Sequence, residues 1–195
     1  MHRITDRNVT GLEPSKFDAL MGDANEMIVA GIITRWGFEV GVLMAKGGAY
    51  DLWVMGYERP PKPGEKPVLR PLRVQVKTVA KGGTIKLGGG TRGGRDRAYK
   101  STEKVLVNKS YKYTTEHNDL IIGVDTASLD LYLVPTCLTT KWGMSKNVRG
   151  LSVLKNNYEI LLNWNNQFLN ELSKQLPDAV LPRDDNTQMR LVPGR

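Results

Sequence analysis

The 195-residue chain has one cysteine, Cys137, and two histidines, His2 and His117. A single thiol forms no internal disulfide, a cysteine-rich zinc centre is excluded, and a histidine-based metal site is not expected. Such cysteine usage fits a reducing cytoplasm. Long apolar runs are also missing: nowhere do about 20 apolar residues follow one another. The opening MHRITDRNVTGLEPSKF lacks the apolar core that a signal peptide needs, so neither secretion nor a membrane span is expected. No G-x-x-x-x-G-K-[ST] occurs, which argues against a P-loop nucleotidase. GGGTRG at 88–93 matches G-x-G-x-x-G, but no helix follows and no acid lies about 20 residues on, which argues against a dinucleotide site.

Acidic residues are the scarcer charge. Twenty Asp and Glu stand against 28 Lys and Arg, a net charge of +8 that makes acidic partners plausible. Its placement is more informative. Between Lys81 and Lys112 nine basic residues (Lys81, Lys86, Arg92, Arg95, Arg97, Lys100, Lys104, Lys109 and Lys112) face only Asp96 and Glu103, so this segment holds +7 of the +8. Its glycines let a main chain approach a phosphate backbone closely while the cations neutralise it, and Tyr99, Tyr111 and Tyr113 interleave the charges. The segment reads as a DNA-contacting loop, with a solvated flexible loop as the alternative.

The hydrophobic fraction of 40% and charged fraction of 25% are ordinary for a globular protein, and the length suits one domain with a tail. GDANEMIVAGIITRWGFEV starts with turn formers, places Val29, Ile32, Ile33 and Trp36 at helical spacing and stops at Gly37, which predicts a helix of about three turns. FEVGVLM and AYDLWVMGY read as a hairpin around Lys46-Gly47-Gly48. Five prolines at 58–71 predict a loop. Seven glycines at 81–99, with few apolar residues, predict a segment mobile until an acidic partner organises it. NDLIIGVD and DLYLVPT add two strands joined at TASL. Leu161, Trp164, Phe168, Leu169, Leu172 and Leu176 predict an amphipathic helix over 157–176, with an extended or disordered tail at 177–195. This order predicts an α/β sandwich, a mixed sheet of about five strands flanked by helices. One domain spans 1–176, its core at about 22–135.

Within LRVQVKT, residues 72–78, alternation puts Leu72, Val74 and Val76 on one face and Arg73, Gln75 and Lys77 on the other. A lysine on a strand built for burial needs a negative partner. Asp51 sits among Tyr50, Leu52, Trp53 and Val54, and helical spacing puts Glu26 on the face of Val29, Ala30 and Ile33. Taken singly, each has an ordinary reading: a strand-end Asp facing water, a first-turn Glu favoured by the helix dipole, a solvent-facing edge strand. Together they form a series: a helix acid, an Asp 25 residues on, and Gln-x-Lys another 24 residues on.

That series, with YDLWV, RVQVKT and DLIIGVD…LYLVP, resembles the PD-(D/E)XK nuclease superfamily. The likeness runs from about Gly22 to Val134 and is nearest to bacterial intron-encoded homing endonucleases, whose third motif also reads Gln-x-Lys. The resemblance implies that Asp51 is the central metal ligand, Gln75 a ligand through its amide oxygen, Lys77 the catalytic lysine and Glu26 the helix acid. It further implies Mg²⁺, with Mn²⁺ as substitute, and site-specific cleavage of double-stranded DNA in a bacterial or phage-infected cell. A homodimer or larger is expected for cutting both strands of a palindrome-like site. A Holliday junction resolvase or restriction endonuclease of the same fold stays open. So does a non-catalytic DNA-binding protein, because Gln75 brings no charge where the usual pattern has a carboxylate.

Overall fold

The first helix, α1, runs over Pro14–Arg35 and is 22 residues long. It begins eight residues before Gly22, longer than the three turns expected. Proline at the first helical position has its φ already set and needs no partner for the N–H it lacks, and Lys16, Ala19, Leu20 and Met21 then carry the helix through Gly22-Asp23. Gly37, at φ +92°, ends it as anticipated. The structure, a computed structural model, describes residues 7–43, 49–90, 110–179 and 181.

Among these residues the strands are β1 (Val40–Val42), β2 (Leu52–Tyr57), β3 (Leu69–Thr78), β4 (Thr84–Lys86), β5 (Gly88–Gly90), β6 (Ser110–Lys112), β7 (Leu120–Asp125), β8 (Asp130–Pro135) and β9 (Ser145–Asn147). The helices after α1 are α2 (Glu159–Leu162) and α3 (Asn166–Lys174). The central sheet has five strands in the order β1-β2-β3-β7-β8. Pairing is antiparallel except between β3 and β7, which run parallel. The mixed α/β sheet expected from the sequence is therefore present.

The two faces are covered differently. Asn25 of α1 donates to Thr78 Oγ1 at 2.8 Å, so α1 lies over the Leu72, Val74 and Val76 face. A Cβ at Gly56 would stand 3.0 Å from Leu161 O, so α2 packs on this face too. On the opposite face, which carries Gln75 and Lys77, Ile85 of β4 sits over Gly123 of β7, where a Cβ would stand 2.5 Å from Ile85 Cδ1. Both Ile85 and Leu87 are fully buried. That overturns the expectation of a wholly untethered glycine-rich segment: two apolar side chains dock its start on the sheet, and β4 pairs with β9 and β5 with β6. Burying two such side chains supplies about 3–6 kcal/mol toward ordering this stretch.

Two other boundaries moved. Strand β3 starts inside the expected proline loop and contains Pro71, paired with Met55. The Met55 N–H points the other way, to Glu39 O at 2.9 Å, so the Pro71 nitrogen also faces away from β2, on the side where β7 pairing begins only at Val74. The absent N–H therefore costs no ladder bond. The predicted 157–176 helix is split because Trp164 N–H donates to Tyr57 O at 2.8 Å and Asn165 Nδ2 to Glu58 O at 2.6 Å. Asn165 then caps α3, accepting from Phe168 N–H at 3.0 Å. Beyond α3, Pro177 O accepts from Trp142 Nε1 at 3.1 Å. The rest of the expected tail, residue 180 and residues 182–195, lies outside the described residues.

Candidate functional site

Asp51 enters β2 with its N–H donated to Val74 O at 2.8 Å, which places its side chain across from Gln75 of β3. Carboxylate oxygen Oδ2 accepts the Val76 N–H at 2.7 Å and an N–H of the Gln75 side-chain amide. Burial pushes the Asp51 pKa above its ordinary 3.8 and Asp23 on α1 adds to the rise, while the Val76 N–H, the Lys77 charge and Gln75 oppose it. A desolvated acid held against a second acid favours a cation.

Gln75 is buried at 5% exposure, and the nitrogen that faces Asp51 also lies 3.4 Å from Val76 O. With two acceptors beside it, this end of the amide is the NH₂. In this structure Gln75 is thus a donor that holds Asp51, whereas the resemblance made it a ligand through oxygen. Lys77, half-buried, brings its Nζ to 5.3 Å from the centroid of the Tyr113 ring. Glu26 is half-buried on α1, one turn after Asp23 and on the same face. Sequence reasoning named Glu26 and passed over Asp23, although the i, i+3 spacing was a usable signal.

Arg73, on the same face of β3, pairs with Asp119 at 3.1 Å and donates to Thr115 O at 2.6 Å and Glu116 O at 2.8 Å. Its guanidinium ties β3 to the turn before β7. Of the nine basic residues expected to contact DNA, Lys81 and Lys86 are exposed. Lys112 is engaged internally: its ammonium donates to Thr139 O at 2.5 Å, Thr140 O at 2.9 Å and Trp142 O. It closes the carbonyl end of the 3-10 turn Thr136–Thr139, and desolvation lowers its pKa. Arg92, Arg95, Arg97, Lys100, Lys104 and Lys109 lie outside the described residues, as does Tyr99.

Among the described residues no group of three or more His, Cys, Asp or Glu side chains is placed to hold a metal ion, and no helix is long and apolar enough to cross a membrane. Neither a protein-family model nor a curated protein sequence matches the chain. In fold it is similar to the solved structure of a bacterial homing endonuclease, I-Ssp6803I. The TM-score is 0.53 at 13% sequence identity, over 75% of this chain and 93% of that one.

Proposed function

We propose that the chain is a divalent-cation-dependent endonuclease of double-stranded DNA, of PD-(D/E)XK type and site-specific like a homing enzyme. The observation that carries the reading is the meeting of Asp51, Gln75 and Lys77 where β2 begins and β3 ends, on a fold similar to a homing endonuclease. Asp51 would hold Mg²⁺ or Mn²⁺, and Glu26 would add a second carboxylate directly or through water. A desolvated carboxylate whose charge is opposed by a neighbouring acid is a hard oxygen donor suited to such an ion. The ion would supply Lewis-acid charge at phosphoryl oxygens and a more acidic water. Gln75 and the Val76 N–H hold the Asp51 carboxylate in one orientation, and Lys77 offers a positive donor to the charge that builds on the phosphate. With so few acids, phosphate and water oxygens would complete the coordination.

Supercoiled plasmid or phage DNA carrying a target site should yield discrete products with Mg²⁺ and none with EDTA. Lys77→Ala should lower the cleavage rate by about a hundredfold or more, and equal cutting by that variant would sink the mechanism. Cleavage of four-way junctions in preference to linear duplex would redirect the reading to a resolvase. A second reading, DNA binding without hydrolysis, draws on Gln75 donating to Asp51 where a second carboxylate would bring charge. It predicts salt-sensitive binding, no turnover and no Mg²⁺ binding lost with Asp51. Sedimentation of the complex tests the expectation of a homodimer or larger assembly.

The basic surface separates by lysine. Lys86→Ala should leave stability within about 0.5 kcal/mol and reduce the salt slope of DNA binding by about 1. Lys112→Met should leave that slope unchanged and destabilise the fold by about 2 kcal/mol in urea unfolding, because three carbonyls lose a charged donor.

A further inference from the structure

We propose that Tyr113 is a positioning residue for Lys77, a fixed aromatic platform that holds the ammonium in the site; the inference rests on the reading of Lys77 as the site's cation. A lysine has four rotatable side-chain bonds and a point charge, so a strand position alone does not fix its Nζ. The Tyr113 ring lies 5.3 Å from that Nζ, within the range where the negative face of a ring attracts a cation.

The platform is itself immobilised. Tyr113 is buried at 4% exposure and its N–H donates to Leu87 O at 3.0 Å. Tyr111 meets its ring edge-on at 5.7 Å and His117 at 6.2 Å. His117 is fixed in turn, because its Nδ1 accepts the Thr114 N–H at 3.2 Å. On the remaining side lies Gly89, where a Cβ would stand 3.0 Å from the Tyr113 hydroxyl and 2.8 Å from that of Tyr111. The glycine lets the β5 backbone press directly on both phenols. Burial and the charge of Asp51 push the Tyr113 pKa up, so the phenol keeps its proton and the ring acts through its face.

Two measurements test this, one of them independent of cleavage. In protein with ¹³C-methylated lysines, the Lys77 signal, assigned with Lys77→Arg, should be shifted by the ring current in wild type and Tyr113→Phe and unshifted in Tyr113→Leu. In cleavage assays Tyr113→Phe should keep kcat within about twofold, while Tyr113→Leu should lower kcat about tenfold at nearly unchanged KM. Tenfold corresponds to about 1.4 kcal/mol, within the reach of a desolvated cation–π contact. In a Lys77→Ala background, Tyr113→Leu should change nothing further. Should Tyr113→Leu fail to fold, Tyr113→Met fills the space without a π face and carries the same expectation. An unshifted Lys77 signal in wild type, or a Tyr113→Phe loss equal to that of Tyr113→Leu, overturns the proposal. A shifted signal in a protein that cuts no DNA upholds the platform and sinks the nuclease reading instead.

Discussion

Asp51→Asn is expected to abolish cleavage while raising the thermal midpoint of the metal-free protein. The substitution keeps size and shape, and its amide oxygen still accepts the Val76 N–H that Asp51 now takes at 2.7 Å. What it removes is the charge. A cation held by few protein oxygens loses its central ligand, and a rate loss of about a thousandfold or more follows. The stability change has the opposite sign because burial and Asp23 both disfavour the ionised carboxylate in the folded protein.

The pH dependence fixes that sign. Below the ordinary Asp value of 3.8 the carboxyl is protonated in both folded and unfolded chains, and its burial carries no charge penalty. As pH rises from 3.8 to the raised folded value, the unfolded chain releases its proton first while the folded protein still holds it. Stability then falls with pH, since the folded state binds more protons. Above the raised value the penalty is complete. The midpoint difference between Asp51→Asn and wild type should therefore widen across that window and level off above it. Scanning calorimetry as a function of pH measures this, and a wild type more stable than the variant at neutral pH would contradict it. Mg²⁺ at about 100 times its dissociation constant should add about 2.7 kcal/mol to wild type, or about 5–10 °C in a domain of this size, and leave Asp51→Asn unmoved.

The parts of the molecule legible in the sequence are those set by local pattern. Strands β7 and β8 are continuous apolar runs bounded by turn formers, and all of Leu120, Ile121, Ile122, Leu131, Leu133 and Val134 are buried. Alternation in 72–78 put Gln75 and Lys77 on one face, opposite the helices. The features missed depend on contacts distant in the chain. The helix breaks at Asn163–Asn165, where the local N-cap of Asn165 acts together with bonds to Tyr57 and Glu58 more than a hundred residues earlier. Composition made 81–99 look untethered because two apolar residues count for little in an average, yet Ile85 and Leu87 are both at full burial. Lys112 counted as a surface cation until the carbonyls of residues 139, 140 and 142 surrounded it. Asp23 and Glu26 share a helix face, and only the packing of α1 decides whose charge is felt at Asp51.

The docking of Ile85 is the second point where a single atom should matter. Gly123 is the β7 partner of Lys77 in the parallel ladder and shares its face, so the missing side chain leaves a depression beside the lysine, and Ile85 fills it. A methyl at 123 would stand 2.5 Å from Ile85 Cδ1, 2.8 Å from its Cγ1 and 3.4 Å from Val79 Cγ2, and Ile85 is fully buried with no solvent to retreat into. Overpacking of this kind costs about 1–3 kcal/mol, and Gly123→Ala should fall at the upper end in denaturant unfolding. Ile85→Val removes the nearest of those atoms and alone costs about 0.5–1.5 kcal/mol. Because the two positions touch, the double variant should be less destabilised than the sum of the singles. Strictly additive losses would show that β4 does not seat on Gly123. Lifting Ile85 also shifts Leu87 two residues on, whose carbonyl accepts the Tyr113 N–H, so cleavage by Gly123→Ala should fall below that of wild type at temperatures where the variant is still folded. Ile85→Val should recover both stability and rate in part, since one contact determines both.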